Sequence, residues 1–575
     1  MENVLRYLFP SWMWIVPCLV AVGLSFLAWM IEFSYGQGGF QVLALAAGGL
    51  QAQEPGFLLI APDRGFLGNK EVREVYDTFR RNYRGRLVFI TLAEDYEEAV
   101  RQRFALALAE LQEEGAKTIA VLPLILSDAD PHLKKARRLL ATLNPSLPFA
   151  PPLAKDYLAA QILEDRAKAL SQAPAKERLV VVGFGATRSE EAEAIGQDLE
   201  RLLREVKERL PFQGTTVAIL FHPAAEEAVL REGNSKAEDA IRTAASGPLR
   251  TVVVPFHLGL KHTRSMELGR KIEGIVQGLP IAYDGREILP HANVALWLKK
   301  MANRWIKPAR EEIGVVIMPH GAGEYVNEPI LKAIEPLQRR YNLEVAFGMA
   351  DVDTLQEAID KIESRGARRI LVLRLYNVSL SLKEETEYVL GLSNSRPAIG
   401  HYGGHGNADR LPRVRTGALL STIGGFDGDP LIAEVLYERV MEVSQAPEQE
   451  TVILLAHGDG DEDKDRFWRK QMEAEAQYIK AKSANRFQAI HVATLREDWP
   501  DKREKAVTDL RELIAKTSRG GGRVLVISNR VAGAGPYRKY LRSLDYVLND
   551  KGIAPHPNLT RWLEKEIKAW IASLR

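Results

Sequence analysis

Residues 314–323 read GVVIMPHGAG, and residues 452–460 read VILLAHGDG. Each is a short apolar run that leads into a histidine and a glycine. Two further runs of the same kind, Phe57–Ala61 and Leu179–Val182, also lead into glycine-containing loops. Short apolar runs rich in β-branched residues are typical of parallel strands that are buried on both faces. The pattern therefore predicts four copies of a unit in which a strand, a loop and a helix follow one another.

Each unit continues in the same way, with a second strand, another helix and a third strand. In the last unit the later strands are predicted at Ala489–Thr494 and Arg523–Ile527. Strands that alternate with helices predict right-handed crossovers and an open parallel sheet, which binds ligands beyond the carboxyl ends of its strands. The predicted fold class is α/β, with four parallel-sheet units forming two bilobal halves after one transmembrane helix. We place the N-terminal segment and the four units at 1–54, 55–177, 178–310, 311–447 and 448–575.

An internal duplication relates the two halves of the chain. Residues 170–179 read LSQAPAKERL and residues 443–452 read VSQAPEQETV, at an offset of 273 positions. Arg166 and Arg439 are related by the same offset. A shared SQAP segment that is followed in both places by an apolar strand is unlikely to arise by chance. The second half is therefore interpreted as a diverged copy of the first.

The composition excludes several classes of function. The chain of 575 residues has 77 Lys and Arg against 75 Asp and Glu, for a net charge of +2, so no basic surplus points to nucleic acid. The single cysteine, Cys18, lies in the apolar N-terminal stretch, which leaves the rest without a disulfide or a thiol ligand. No GxxxxGK[ST] motif is present, and no nucleotide cofactor is expected. Any metal chemistry must use His, Asp or Glu.

The N-terminus is predicted to anchor the protein in a membrane. Trp12–Ile31 is uncharged and has the length of about 20 residues that a helix needs to span a bilayer. Arg6 precedes it and no Lys or Arg follows until Arg64, which predicts that the bulk of the chain lies outside the cytoplasm. Phe40–Leu50 and the QAQE after it resemble the end of a secretory signal. The soluble part is thus expected to be periplasmic or otherwise extracytoplasmic, either anchored by a single pass or released.

Four of the eleven histidines follow predicted strands at the edge where ligands bind. His320 and His457 come directly after first strands, and each is followed by glycine. His132 and His262 lie in loops after third strands. The plain alternative is that such a histidine only caps the next helix. His222 and His257 are predicted to be structural.

The segment 429–460 (DPLIAEVLYERVMEVSQAPEQETVILLAHGDG) is similar to the junction between units in the sirohydrochlorin chelatase family. The loops that begin at Pro123 and Pro255 resemble the second motif of that family. The resemblance is weak over residues 57–568 and strongest over 429–460. It implies insertion of a divalent metal, Co²⁺ or Fe²⁺, into a sirohydrochlorin-type tetrapyrrole, as in cobalamin biosynthesis.

The resemblance also implies roles for the histidines, because neutral imidazole binds first-row divalent metals and accepts protons near neutral pH. His320 and His457 are expected to be catalytic, and His320, His457, His132 and His262 are expected to hold the metal. Carboxylates that follow second strands are candidate bases for the pyrrole protons: Glu94, Asp95, Asp351, Glu497 and Asp498.

One departure from the family pattern leaves the function open. The family has both histidines in one unit, whereas here units one and two keep only the later histidine and units three and four only the earlier one. One alternative is an extracytoplasmic protein that binds a metal or a tetrapyrrole without catalysis. Another is a structural module in which one lobe packs against the other. The pair His320 and His457 belongs to one lobe, so this pair is the one expected to converge. His401 and His405 lie in a Gly-rich loop that either lines the cleft or is exposed.

Overall fold

The computed structural model describes residues 55–263, 265–397 and 412–574. Within them, fifteen strands form four sheets in which every pairing between strands is parallel. Unit one contains β1 Gly56–Pro62, β2 Gly85–Ile90 and β3 Ile119–Pro123; unit two contains β4 Glu177–Ala186, β5 Gly214–Phe221, β6 Arg250–Pro255 and β7 Ile281–Ala282. Unit three contains β8 Ile313–Pro319, β9 Asn342–Val345, β10 Arg369–Leu375 and β11 Leu419–Gly424; unit four contains β12 Glu450–Ala456, β13 Ala489–Thr494, β14 Arg523–Ser528 and β15 Val547–Asn549.

Helices connect these strands. In the first half they are α1 Phe66–Phe79, α2 Glu97–Glu113, α3 Pro131–Leu143, α4 Tyr157–Leu170, α5 Ser189–Arg209, α6 Glu227–Ala245, α7 Leu268–Val276 and α8 Ala292–Asn303. In the second half they are α9 Glu324–Gln338, α10 Val352–Ser364, α11 Lys383–Val389, α12 Pro430–Met441, α13 Glu462–Lys482, α14 Pro500–Arg519, α15 Tyr537–Tyr540 and α16 Pro557–Ser573.

All four sheets use the same strand order, with the first strand of the unit between the second and the third. The strands β1, β8 and β12 are buried along their whole length, as their apolar sequences require at the centre of a sheet covered on both faces. The α/β class and the four parallel sheets are thereby confirmed. The boundaries between units remain predictions. Units two, three and four also have a fourth strand that the sequence pattern did not indicate.

The hydrophobic cores show how the units pair. One continuous core contains Leu59 of unit one and Val181 of unit two, and a second contains Val315 of unit three and Leu454 of unit four. We call units one and two lobe 1, and units three and four lobe 2. Because each lobe is built around a shared apolar core, its two units pack face to face, and their loops at the carboxyl ends of the strands come together.

Equivalent ion pairs occur in the two lobes at the offset seen in the sequence. Glu177 begins β4 and pairs with Arg250, which begins β6. Glu450 begins β12 and pairs with Arg523, which begins β14. Both glutamates are almost fully buried, so each pair joins the first and third strands of its sheet at the amino end.

The two lobes contact each other through residues 412–418, which precede β11. The Tyr157 hydroxyl donates a hydrogen bond to the Val414 carbonyl over 2.9 Å, and the Asn303 amide donates to the Gly417 carbonyl over 2.9 Å. Both donors belong to helices of lobe 1. Side chains of lobe 1 therefore satisfy backbone groups of lobe 2, which buried carbonyls require.

Some predictions concern residues outside the described ranges. The anchor at Trp12–Ile31, the signal-like stretch Phe40–Leu50, and His401 and His405 all lie there. Among the helices in the part of the chain that the structure describes, none is both long and apolar enough to cross a bilayer.

Candidate functional site

A cavity of about 560 Å³ lies between units three and four of lobe 2. It is formed by loops that follow the carboxyl ends of six strands, β8, β9, β10, β12, β13 and β14. This is the edge at which open parallel sheets bind ligands. His320 and His457 both line it. The structure thus brings together the pair that was expected to converge, although it does not test what the two imidazoles do.

His320 is held at the end of β8 by the turn that its neighbour makes. Gly321 has a φ of +75°, and a Cβ at that position would lie 2.9 Å from the Cβ of Phe347, so glycine is required there. The Nδ1 atom of His320 is 2.6 Å from the Gly321 carbonyl oxygen. A carbonyl only accepts hydrogen bonds, so Nδ1 carries the proton and Nε2 presents a lone pair. His320 is exposed, and its Nε2 is available to a metal ion or a proton.

His457 occupies the equivalent turn after β12, where Gly458 has a φ of +79°. Its Nδ1 is 2.8 Å from the Gly458 carbonyl oxygen, which again places a proton on Nδ1. Its Nε2 differs from that of His320, because it lies 3.2 Å from a carboxylate oxygen of Asp498. The ring also stacks on Trp468, with centroids 6.3 Å apart.

These surroundings favour the charged form of His457. Burial lowers the pKa of its imidazole. The hydrogen bond to Asp498 and the nearby charge of Glu497 raise that pKa by more than burial lowers it, so it lies above its ordinary value. When His457 loses its Nε2 proton, the lone pair faces the Asp498 carboxylate, whose side chain is 69% exposed. The two imidazoles therefore differ: His320 presents an unprotonated Nε2, whereas the Nε2 of His457 faces a carboxylate that favours its protonation.

A further ion pair lies in the wall of the cavity. Arg530, in the loop after β14, pairs with Glu497, in the loop after β13. The same wall contains residues 531–535 (VAGAG). Gly533 and Gly535 both have positive φ angles in this loop. The segment therefore shapes the cavity through its backbone.

Hydrogen bonds among Asn377, Asn529 and Glu475 join the two units at one side of the cavity. The Asn377 side chain lines the cavity and donates to the Asn529 side-chain oxygen over 2.9 Å. Asn529 in turn donates to Glu475, which is almost fully buried on α13. Burial raises the pKa of Glu475 to about 8, so this carboxyl is protonated at neutral pH.

The structure places His132 and His262 in lobe 1, away from this cavity. His132 is buried near the start of α3, with its Nδ1 2.9 Å from Asp130, and its ring meets His222 edge to face. His262 is exposed and packs against Gly65, where an added Cβ would lie 2.2 Å from its Nδ1. The histidines predicted to hold the metal are thus divided between lobes. A metal role for His132 and His262 stays a prediction.

Lobe 1 has an arginine near the place where unit three of lobe 2 has His320. Arg64, in the loop after β1, is completely buried. Its Nε donates to the Gly259 carbonyl over 3.0 Å, and its guanidinium pairs with Glu71 and Glu287. These contacts join unit one to unit two by charge. Burial raises the pKa of Glu287 to about 7, which Arg64 opposes.

No three side chains of His, Cys, Asp or Glu in the described ranges cluster closely enough to ligate one metal ion. The lobe 2 cavity offers two imidazoles and several carboxylates instead. A metal ion bound there must therefore obtain further ligands from water or from the molecule that fills the cavity.

Several residues of the cavity were not indicated by sequence patterns. Trp468 and Trp499 flank His457, and Lys464 and Glu385 complete the polar lining. Lys464 and Trp468 both lie on α13, four residues apart. The i, i+4 spacing of these two residues on one face of α13 is the signal that would have identified this wall.

No protein-family model and no curated protein matches this sequence. Among solved structures, the chain is similar to a protein of Deinococcus radiodurans, described as a multi-domain protein with structural similarity to chelatases and with two additional novel domains. The identity is 15% and the TM-score 0.28, over 44% of this chain. The match spans about half, 54%, of that protein. At this level the likeness supports no conclusion about fold or function.

Proposed function

We propose that lobe 2 inserts a divalent metal, Co²⁺ or Fe²⁺, into a tetrapyrrole, with a sirohydrochlorin-type macrocycle as the first substrate to test. The observation that carries the proposal is the presence of His320 and His457, in different hydrogen-bonding states, on one cavity. The resemblance of residues 429–460 to the chelatase family supports it. The metal is a substrate here, and no nucleotide cofactor is involved.

The chemistry requires a metal-binding group and a base. Insertion of M²⁺ replaces two pyrrole N–H protons, so two protons must leave as the metal–nitrogen bonds form. In the proposed reaction the Nε2 lone pair of His320 holds the incoming ion. Neutral His457 accepts the first proton, and Asp498 stabilises the imidazolium that results. The second proton passes to solvent.

Metal-insertion assays with sirohydrochlorin and Co²⁺ or Fe²⁺ test this proposal. His320→Ala and His457→Ala are each expected to lower the insertion rate at least tenfold. His491→Ala is the matched control, because His491 is exposed on β13 and lies outside the cavity lining. Wild-type rates in both cavity variants would refute the assignment.

A second function has its own supporting observation. Because no group of three metal-ligating side chains is found in the described ranges, the cavity also suits a protein that carries a tetrapyrrole without inserting metal. Saturable binding of the macrocycle with no turnover would favour this carrier. We further propose that the protein acts outside the cytoplasm, attached to the membrane by the predicted anchor at Trp12–Ile31. Protease accessibility in intact cells or spheroplasts tests that location.

A further inference from the structure

Arg496 lies in the loop between β13 and α14, two residues before Asp498, and is not part of the lining of the lobe 2 cavity. Its φ of +53° lies in the left-handed region, which a residue with a side chain seldom occupies unless its surroundings hold it there. Its backbone N–H donates to the carbonyl of His457 over 2.6 Å. This strained residue is therefore bonded directly to the backbone of the candidate site.

The guanidinium of Arg496 holds the loop that follows β12. Its Nε donates to the Asp459 carbonyl over 2.6 Å, and its Nη2 donates to the Gly460 carbonyl over 2.9 Å. Its Nη1 pairs with the Glu462 carboxylate over 3.0 Å. The side chain is 12% exposed, so these bonds are largely shielded from water. Because a guanidinium is a rigid planar donor, three such bonds fix the loop after β13 against the loop after β12.

The same contacts determine where Asp498 lies. The Arg496 carbonyl accepts a hydrogen bond from the Trp499 backbone N–H over 3.1 Å, which closes a turn that contains Asp498. The Asp498 side chain is 69% exposed, so burial does not fix its carboxylate beside the Nε2 of His457, 3.2 Å away. An exposed charged pair contributes little unless its members are held in place. Arg496 fastens the first residue of the turn from which Asp498 reaches His457.

We infer that Arg496 is a positioning residue that holds the Asp498 carboxylate against the His457 imidazole. Because Arg496 does not line the cavity, it acts on a bound molecule only through this pair. The inference rests on the proposed function and adds to it the residue that keeps the proposed base and its carboxylate together. Loss of the guanidinium is expected to release the turn 496–499. The imidazolium formed during metal insertion then lacks its stabilising carboxylate.

Steady-state metal insertion into sirohydrochlorin by the full-length protein is one test. Arg496→Gln is expected to lower kcat about tenfold and to leave the dissociation constant of the macrocycle within about twofold of the wild type, because Arg496 does not contact the macrocycle. Added to Asp498→Asn, the same substitution is expected to lower kcat by less than about twofold, since the carboxylate that it positions is already absent. Effects that multiply in the double variant, or a macrocycle affinity that falls together with kcat, overturn the inference.

Arg466→Gln is the matched control for this assay. Arg466 is an exposed arginine of the same unit, and it pairs with the exposed Asp463. Its replacement is expected to leave kcat unchanged. A loss of kcat as large as that of Arg496→Gln would show that removal of any cation from this unit suffices, which overturns the inference.

A crystal structure of Arg496→Gln separates the inference from the proposed function, because it requires no activity. The Asp498 carboxylate is expected to lie beyond hydrogen-bond reach of His457, more than about 3.5 Å from its Nε2. A carboxylate that stays in place overturns the inference, whatever the insertion rate. A wild-type protein that inserts no metal refutes the proposed function, and the structure of the variant then still decides the role of Arg496.

Arg496→Lys keeps the test decisive if Arg496→Gln does not fold. It preserves the positive charge but replaces the planar donor of three bonds with an ammonium group. Its kcat is expected to lie between those of the wild type and Asp498→Asn, with the Asp498 carboxylate displaced from His457. A wild-type kcat and an unmoved carboxylate in Arg496→Lys overturn the inference.

Discussion

Replacement of Glu475 by glutamine is expected to stabilise the protein at pH 8 and to change little at pH 5. Glu475 lies on α13 and is buried beside Asn529, from which it accepts a hydrogen bond. Burial raises the pKa of Glu475 to about 8, from an ordinary value of 4.5. Glutamine has the same shape, keeps an oxygen that accepts from Asn529, and has no proton to lose.

The sign and size follow from linkage between proton binding and folding. The pKa is higher in the folded protein, so the stabilising contribution is complete below pH 4.5 and is lost as the pH rises through 8. At about 1.4 kcal/mol for each pKa unit, the rise from 4.5 to about 8 corresponds to a loss of about 5 kcal/mol at most. Roughly 3.5 kcal/mol of this falls between pH 5 and pH 8.

Urea unfolding of both proteins at pH 5, 6, 7 and 8 measures the effect. The difference in free energy of unfolding, variant minus wild type, is expected to rise by about 3.5 kcal/mol over this range. Glu473→Gln is the control, because Glu473 is exposed on the same helix. A difference for Glu475→Gln that stays constant with pH, as for the control, would refute the reasoning.

Two further predictions concern charged pairs. Asp498→Asn removes the carboxylate that raises the pKa of His457, so the pH midpoint of the proposed metal insertion is expected to move to lower pH. An unchanged midpoint in the pH–rate profile contradicts this. Arg64→Met leaves Glu287 buried without its cation and is expected to lower the free energy of unfolding by about 3–5 kcal/mol. Adding Glu287→Gln should restore at least half of the lost free energy of unfolding, as measured by urea unfolding. A failure to do so would show that the unpaired charge of Glu287 does not cause the loss.

The central strands were predictable from sequence because they are buried on both faces. Such strands must be apolar at every position, and the β12 sequence has this property almost throughout. The fourth strands of the sheets were not predicted from the sequence, for the opposite reason. Every residue of β11 is only partly buried at the sheet edge, and β15 has three residues. Neither has a continuous apolar run that sets it apart from a loop.

Only those residues of the candidate site that belong to a local sequence pattern were predictable. His320 and His457 were found because a histidine and a glycine directly follow an apolar strand, which fixes their place at the sheet edge. No local sequence pattern of this kind marks Glu385 as part of the cavity. Its burial depends on how the seven-residue helix α11 packs after β10, and on the partner unit that closes the cavity. These contacts are between residues far apart in the chain, so spacing does not reveal them.

The docking of residues 412–418 on lobe 1 bears on how the duplicated chain evolves. Lobe 1 has Arg64 near the position that His320 occupies in lobe 2, yet its Tyr157 and Asn303 complete the backbone hydrogen bonds of lobe 2. A duplicate copy that is relieved of chemistry normally becomes free to decay. Here side chains of the first copy satisfy backbone carbonyls of the second, so a deletion of lobe 1 is expected to lower the stability of lobe 2.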